Sequence, residues 1–144
     1  MILTRKLEKA DIPSVAELES RVFAEPWHEN ELNFLLEPNT FGFVTFVDGV
    51  LVAYGGMICV LDEGQITDIA TDRDFRRMGL GERTLSAMLD EAKSRMLSFV
   101  TLEVRESNVA ARALYEKLGF TAVGRRNNFY RKPTEAAIIM EKKF

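Results

Sequence analysis

The sequence predicts an α/β (α+β) chain in which a mixed central sheet of about seven strands carries helices on both faces. Three features carry that expectation. Asp48-Gly49 separates two apolar runs, "FGFVTFV" and "VLVAYGGMICVL", and Asp-Gly favours a tight antiparallel hairpin because glycine takes a positive φ without penalty. Two further apolar runs, "GQITDIAT" and "LSFVTLEV", are each followed by residues at helical spacing. The chain also opens on a strand-like segment and closes on two more.

Taken in order, "ILTRKL" (2–7) is a first strand. "DIPSVAELESRVF" (11–23) starts a helix, with Asp11 as its N-cap and Val15, Leu18 and Val22 on one face. "HENELNFLLE" (28–37) is a second, short helix, and the hairpin pair and "GQITDIAT" (64–71) supply three strands. After an arginine-glycine loop, Leu85, Met88, Leu89 and Ala92 fall at helical spacing, and "LSFVTLEV" (97–104) returns to strand. Asn108 caps a third helix with Ala110, Ala113, Leu114 and Leu118 as its apolar face, and Gly119 stops it at the position that tolerates left-handed backbone. Strands near 120–126 and 136–143 complete the order β-α-α-β-β-β-α-β-α-β-β.

A chain of 144 residues, 47% hydrophobic and 28% charged, has the balance of one compact globular domain spanning 1–144. A net charge of −3 argues against a general nucleic-acid binder, so any phosphate site must be local. "MILTRKLEKADIPS" carries charges in its first ten residues and no sustained apolar run, which excludes a signal peptide or membrane anchor there and makes the cytoplasm the expected compartment. Cys59 is the only cysteine and is expected to be a buried, unreactive thiol; His28 is the only histidine and is expected at the surface. No disulfide, metal centre or ordinary histidine triad can be built from them, so carboxylates, tyrosine and backbone must do any chemistry. Phe23 and Trp27 read as core or staple residues without a catalytic role.

The segment "RDFRRMGLGERT" (73–84) places four arginines around two glycines where a strand hands over to a helix. Such a junction offers unpaired amide N–H groups at a positive dipole end, which suits a phosphate. The lysine-serine/threonine of a P-loop is missing, and Thr84 stands where the third glycine of a dinucleotide fingerprint would fall. Spacing alone leaves two readings open, an anion cradle and an ordinary turn before an exposed helix.

The run Arg76-x-x-Gly79-x-Gly81 after a strand resembles the acetyl-CoA pyrophosphate loop of the GNAT superfamily of N-acetyltransferases, and "TLEVRESNVAARALYEKLGF" (101–120) resembles that family's second signature. The likeness extends over nearly the whole chain, and "FAEPW" (23–27) and "NNFYRKPTEAAIIM" (127–140) are most similar to the RimI-type ribosomal-protein-alanine acetyltransferases. The resemblance implies the GNAT fold and acetyl-CoA as co-substrate, with no metal. It implies that Ile69, Ala70 and Thr71 lie along the pantetheine arm, that Arg76, Arg77, Met78, Gly79, Leu80, Gly81 and Glu82 surround the pyrophosphate, and that Asn108 helps to hold CoA.

It also implies an acid and a base. A peptide α-amine has a pKa near 7.7–8.0 and must lose a proton before it attacks a thioester. Glu103 is the implied base; strand alternation puts it with Phe99 and Thr101 on one face, where partial desolvation would lift its pKa toward neutrality. Tyr115, on the helix opened by Asn108, is the implied acid for the departing thiolate. Without the resemblance, Glu103 would read as a solvent-facing carboxylate and Tyr115 as a packing residue.

By the same resemblance the acceptor is a protein N-terminus, the alanine of a small-subunit ribosomal protein, and it enters between "EPWHENE" (25–31) and "RRNNFYRKP" (125–133), the latter read as a hairpin connection. A monomer or weak dimer with no nucleic-acid or membrane partner is expected. A GNAT enzyme for a lysine side chain or small amine, or a CoA-binding module without turnover, are the rival readings.

Overall fold

The computed structural model describes residues 1–144, in the order β1 (Ile2–Lys6), α1 (Ile12–Val22), β2 (Thr40–Val47), β3 (Val50–Val60), β4 (Glu63–Thr71), α2 (Leu80–Ser94), β5 (Phe99–Arg105), α3 (Val109–Lys117), β6 (Thr121–Tyr130) and β7 (Glu135–Lys143). Short 3-10 turns cover Lys9–Asp11, Glu31–Leu36 and Arg73–Phe75. The sheet has seven strands in the order β1-β2-β3-β4-β5-β7-β6. Only β4 and β5 run parallel, joined through α2, so the sheet is mixed. Asp48 (φ 49°) and Gly49 (φ 83°) both take left-handed backbone between β2 and β3, the turn that Asp-Gly favours.

Each face of the sheet has its own core. On one, Ile12, Val15 and Leu18 of α1 and Leu32 and Leu35 pack on Val44, Tyr54 and Ala70. On the other, Leu85, Met88, Leu89 and Ala92 of α2 and Tyr115 of α3 pack on Phe41, Phe43, Met57, Leu102 and Met140. Truncating a fully buried leucine such as Leu18 or Leu85 to alanine costs about 2–5 kcal/mol. The coverage is unequal. The first face is covered mainly over β2–β4, where the core under α1 includes no residue of β5, whereas α2 and α3 share the second core with Val100, Leu102 and Val104 of β5.

Pairing of β4 with β5 stops at Gln65↔Thr101. Just beyond, the β3–β4 register shifts, with Met57 facing Ile66 and Gly55 facing Ile69, so that Thr67 and Asp68 together oppose Gly56. A bulge of this kind bends its strand. Here it turns β4 away from β5 and opens a splay between them. Gly55 packs tightly under α2, where a Cβ would sit 2.3 Å from Met88 Sδ and oblige that side chain to shift.

Several expectations are corrected. The 28–37 helix is a 3-10 turn, Glu31–Leu36. Asp11 stands at the N-cap of α1 but bonds none of that helix's amides; its carboxylate instead accepts from Glu8 N–H at 2.8 Å, closing a capping box on the 3-10 turn before α1, and pairs with Arg5. The buried face of α3 is Ala111, Leu114, Tyr115 and Leu118, while Ala110 and Ala113 face outward, because α3 lies with its Tyr115 side on the sheet. Most of "RRNNFYRKP" is strand: β6 continues to Tyr130 and the turn starts at Arg131. Cys59 is only partly buried, and burial raises its thiol against the pull of Arg95. No helix is long and apolar enough to cross a membrane.

Candidate active site

The arginine-glycine loop joins the end of β4 to α2. Asp72 Oδ1 accepts from Asp74 N–H at 3.0 Å and starts the 3-10 turn, after which Arg77 (φ 67°) and Gly79 (φ 73°) take left-handed backbone and Gly79 becomes the N-cap of α2. The backbone N–H groups of Arg76 through Glu82 have no acceptor within the chain; the first to be bonded is Arg83, to the Gly79 carbonyl at 3.0 Å. A run of free donors at the start of a fifteen-residue helix has the geometry that suits an anion. Arg76 and Arg77 stand exposed beside it. At Gly81 a Cβ would lie 3.2 Å from Thr71 Oγ1, so the helix start and the strand end approach closely there.

Beyond the cradle, the outer edge of β4 over Ile69, Ala70 and Thr71 is left unpaired by β5, a free backbone edge for an extended arm. Ala70 points its methyl into the core under α1 and can contribute only backbone. Asn108 is the N-cap of α3: its Oδ1 accepts from Ala111 N–H at 3.1 Å, which leaves its amide NH2 uncommitted. Glu82 and Lys117 pair at 2.7 Å and tie the first turn of α2 to the end of α3.

Tyr115 and Glu103 approach the splay from opposite faces. Tyr115 is buried among Leu102, Val104 and Phe120, and burial, with the nearby charges of Tyr130 and Asp68, raises its hydroxyl well above the ordinary tyrosine value. It therefore stays protonated across the working pH range. Glu103 is exposed on β5, and the desolvation expected for it is absent because no helix covers its half of the first face. Tyr130, at the end of β6, links the two: burial, then the charges of Glu103 and Asp68, raise it to about 12, and the Arg105 guanidinium stacks 4.6 Å over its ring.

A cleft of about 560 Å³ is lined by Ala24, Glu25, Pro26, Trp27, Glu31 and, across it, Lys132. The α1–β2 connection and the β6–β7 turn thus flank one opening. A wider groove of about 990 Å³ runs between Lys9–Pro13 and His28–Asn33, and neither opening is lined by Tyr115, Tyr130 or Glu103.

Sequence reasoning passed over Glu19, Tyr54 and Asp68, which are clustered where α1 crosses β3 and β4. Two signals were present. Glu19 lies four residues after Val15 on the apolar side of α1, and Asp68 is a charge inside a strand between Ile66 and Ile69.

The pattern of the acetyltransferase (GNAT) family matches residues 8–120. The chain is 39% identical over 138 residues to the ribosomal protein bS18-alanine N-acetyltransferase of Escherichia coli (strain K12), covering 93% of this chain and 92% of that one. The crystal structure of the ribosomal-protein-S18-alanine N-acetyltransferase from Escherichia coli superposes with a TM-score of 0.93 at 36% identity, over 99% of this chain and 94% of that one. The PaiA N-acetyltransferase of Thermoplasma acidophilum, solved in complex with coenzyme A, shares the fold at 16% identity with a TM-score of 0.83, over 100% and 99% of the two chains. With a seven-stranded splayed sheet, a free-amide loop and relatives matched over nearly their full length, this chain is an N-acetyltransferase of the GNAT family, on its RimI-type branch.

Proposed function

We propose that the chain transfers the acetyl group of acetyl-CoA to the N-terminal α-amine of a protein, the alanine of ribosomal protein bS18 as in its relatives. One juxtaposition carries the reading. The free amides of Arg76–Glu82 lie at one end of the unpaired β4 edge, and that edge runs to a splay flanked by Tyr115 and by the open face bearing Glu103. The cradle suits a pyrophosphate, and the β4 edge suits an extended amide-bearing arm hydrogen-bonding as a strand would. Asn108 is placed to add a donor. Ribosomal acceptors put the work in the cytoplasm.

Acetyl-CoA supplies the thioester. In our reading Glu103 takes a proton from the ammonium, directly or through one water, and the freed amine attacks the carbonyl carbon. The C–S bond then breaks, Tyr115 donates its hydroxyl proton to the departing sulfur, and the second proton released by the acetylated nitrogen passes to solvent, from which the tyrosine is reprotonated. An exposed carboxylate can serve here because the amine it must deprotonate is half neutral near pH 8.

The test is direct. A peptide with the alanine N-terminus of bS18 should gain one acetyl group, located on the α-amine by fragmentation mass spectrometry. An α-blocked peptide carrying lysine should gain none. Equal acetylation of both would replace this reading with a side-chain amine acceptor; CoA binding without turnover of any amine would reduce the chain to a CoA-binding module.

A further inference from the structure

The tip of the β6–β7 hairpin is tied only loosely to the sheet by its own backbone. Pairing runs to Arg126↔Ala137, skips residues 127–129, and resumes for a single pair, Tyr130↔Glu135. The turn between, residues 131–134, is exposed at every position, and no backbone hydrogen bond closes within it. Backbone this sparsely bonded opens readily. Yet the turn carries Lys132, the wall of the cleft that faces Glu25, Trp27 and Glu31.

One side chain holds it in place. Arg105, the last residue of β5, donates from Nη2 to the Arg131 carbonyl at 2.7 Å and from Nη1 to the Pro133 carbonyl at 2.9 Å. Nη1 also reaches Glu135 Oε1 at 3.2 Å, and the guanidinium lies 4.6 Å over the centre of the Tyr130 ring. Glu135 in turn accepts from Ser107 N–H at 2.6 Å through its other oxygen, which fastens the start of β7 to the β5–α3 junction. With 28% of the Arg105 side chain and 18% of the Glu135 side chain exposed, the pair is partly desolvated and is screened less than a surface pair. A planar fork can span two carbonyls and stack on a ring at once; an ammonium has neither the second arm nor the flat face.

Strand alternation puts Arg105 on the same face of β5 as Glu103, with Val104 turned to the core between them. The hairpin tip is thereby held beside the carboxylate read as the base. We propose that Arg105 is a positioning residue for the acceptor: it fixes residues 130–135 as a wall, and with them the affinity for the acceptor peptide, independently of the acetyl-CoA loop. What the wall binds rests on the acceptor reading above; the clamp itself does not.

The clamp has a readout apart from activity. Trypsin cuts after arginine and lysine except before proline, so within the turn it can cut only the Arg131–Lys132 bond. The carbonyl of that bond is the one Arg105 Nη2 holds, and cleavage follows the population of the opened turn. Arg105→Lys keeps the charge and loses the fork. It should be cut after Arg131 on the order of tenfold faster than the parent, the site being located by mass spectrometry. Its KM for an alanine-terminated peptide should rise about tenfold, with kcat within about twofold of the parent's and the Kd for acetyl-CoA unchanged. Glu135→Gln still accepts from Ser107 N–H but removes the charge facing Arg105, so cleavage and KM should both rise by about threefold; it decides the matter if Arg105→Lys does not fold. A parent-like cleavage rate would overturn the clamp. Faster cleavage with an unaltered peptide KM, or an acetyl-CoA Kd that moves in step with KM, would overturn its part in the acceptor wall. If the parent protein acetylates no alanine peptide, the acceptor reading fails, and cleavage after Arg131 still decides whether Arg105 holds the tip.

Discussion

Tyr115 has its ring 5.9 Å from Phe120 and its hydroxyl held protonated by burial, so packing and chemistry can be separated at one atom. Tyr115→Phe keeps the ring and removes the donor. Turnover should fall by about 10²-fold while acetyl-CoA affinity and the melting temperature stay near the parent's; a large fall in melting temperature would assign Tyr115 to the core alone. Glu103 is the opposite case, exposed and free of tertiary packing, so Glu103→Gln should leave the fold intact. Its turnover should drop by about 10²-fold at neutral pH, and the deficit should narrow as pH passes about 8 and the amine needs no base. A deficit that is equal at every pH would remove the proton-transfer role.

At the scale of elements, the β4–loop–α2 unit joins a left-handed N-cap at Gly79 to a strand end approached closely by Gly81. Gly81→Glu introduces a carboxylate beside the free amides and obliges Thr71 Oγ1, 3.2 Å from the new Cβ, to yield by a few tenths of an ångström. The negative charge would oppose a pyrophosphate at the helix start. Acetyl-CoA affinity should fall by at least about tenfold in a protein that keeps its far-UV circular dichroism; calorimetry giving the parent's Kd would show that the cradle holds something else.

Over the whole molecule, two aspartates act at opposite ends of the pH scale. Burial works to raise Asp11, but Arg5 at 2.7 Å and the Glu8 amide outweigh it and hold it below 3.8, so its contribution to stability is lost in acid. Asp68 is raised by burial and by Glu19 from 3.8 to about 9, so its contribution is complete below 3.8 and is lost as pH rises to about 9. Asp68→Asn should therefore gain melting temperature on the parent progressively from pH 5 to pH 9; a difference that is flat with pH would mean that Asp68 is ionised in the fold. The cleft mouth has its own polarity, with Glu25 and Glu31 on one wall and Lys132 on the other. If the acidic wall steers the acceptor, a peptide beginning Ala-Arg should have a higher kcat/KM than one beginning Ala-Glu, and the gap should shrink with added salt. A reversed order would give the governing role to Lys132.

Local signals were legible without coordinates. Period and punctuation act over a few residues, so Asp48-Gly49, the helical spacing from Leu85 to Ala92, Asn108 as a cap and Gly119 as a stop all appear where the sequence puts them. The junction of a strand, a glycine loop and a helix start was legible for the same reason, since the three are contiguous in the chain, while the choice between an anion site and an ordinary turn was not. What the sequence by itself determined is thus most of the list of elements and, through family resemblance, the class of reaction. Only the tertiary structure decided which side chains lose water, because that depends on elements distant in the chain. The short reach of α1 leaves Glu103 exposed, the seating of α3 turns Tyr115 inward in place of Ala110 and Ala113, and the packing of α1 on β3 buries Glu19 against the Tyr54 hydroxyl, thirty-five positions later.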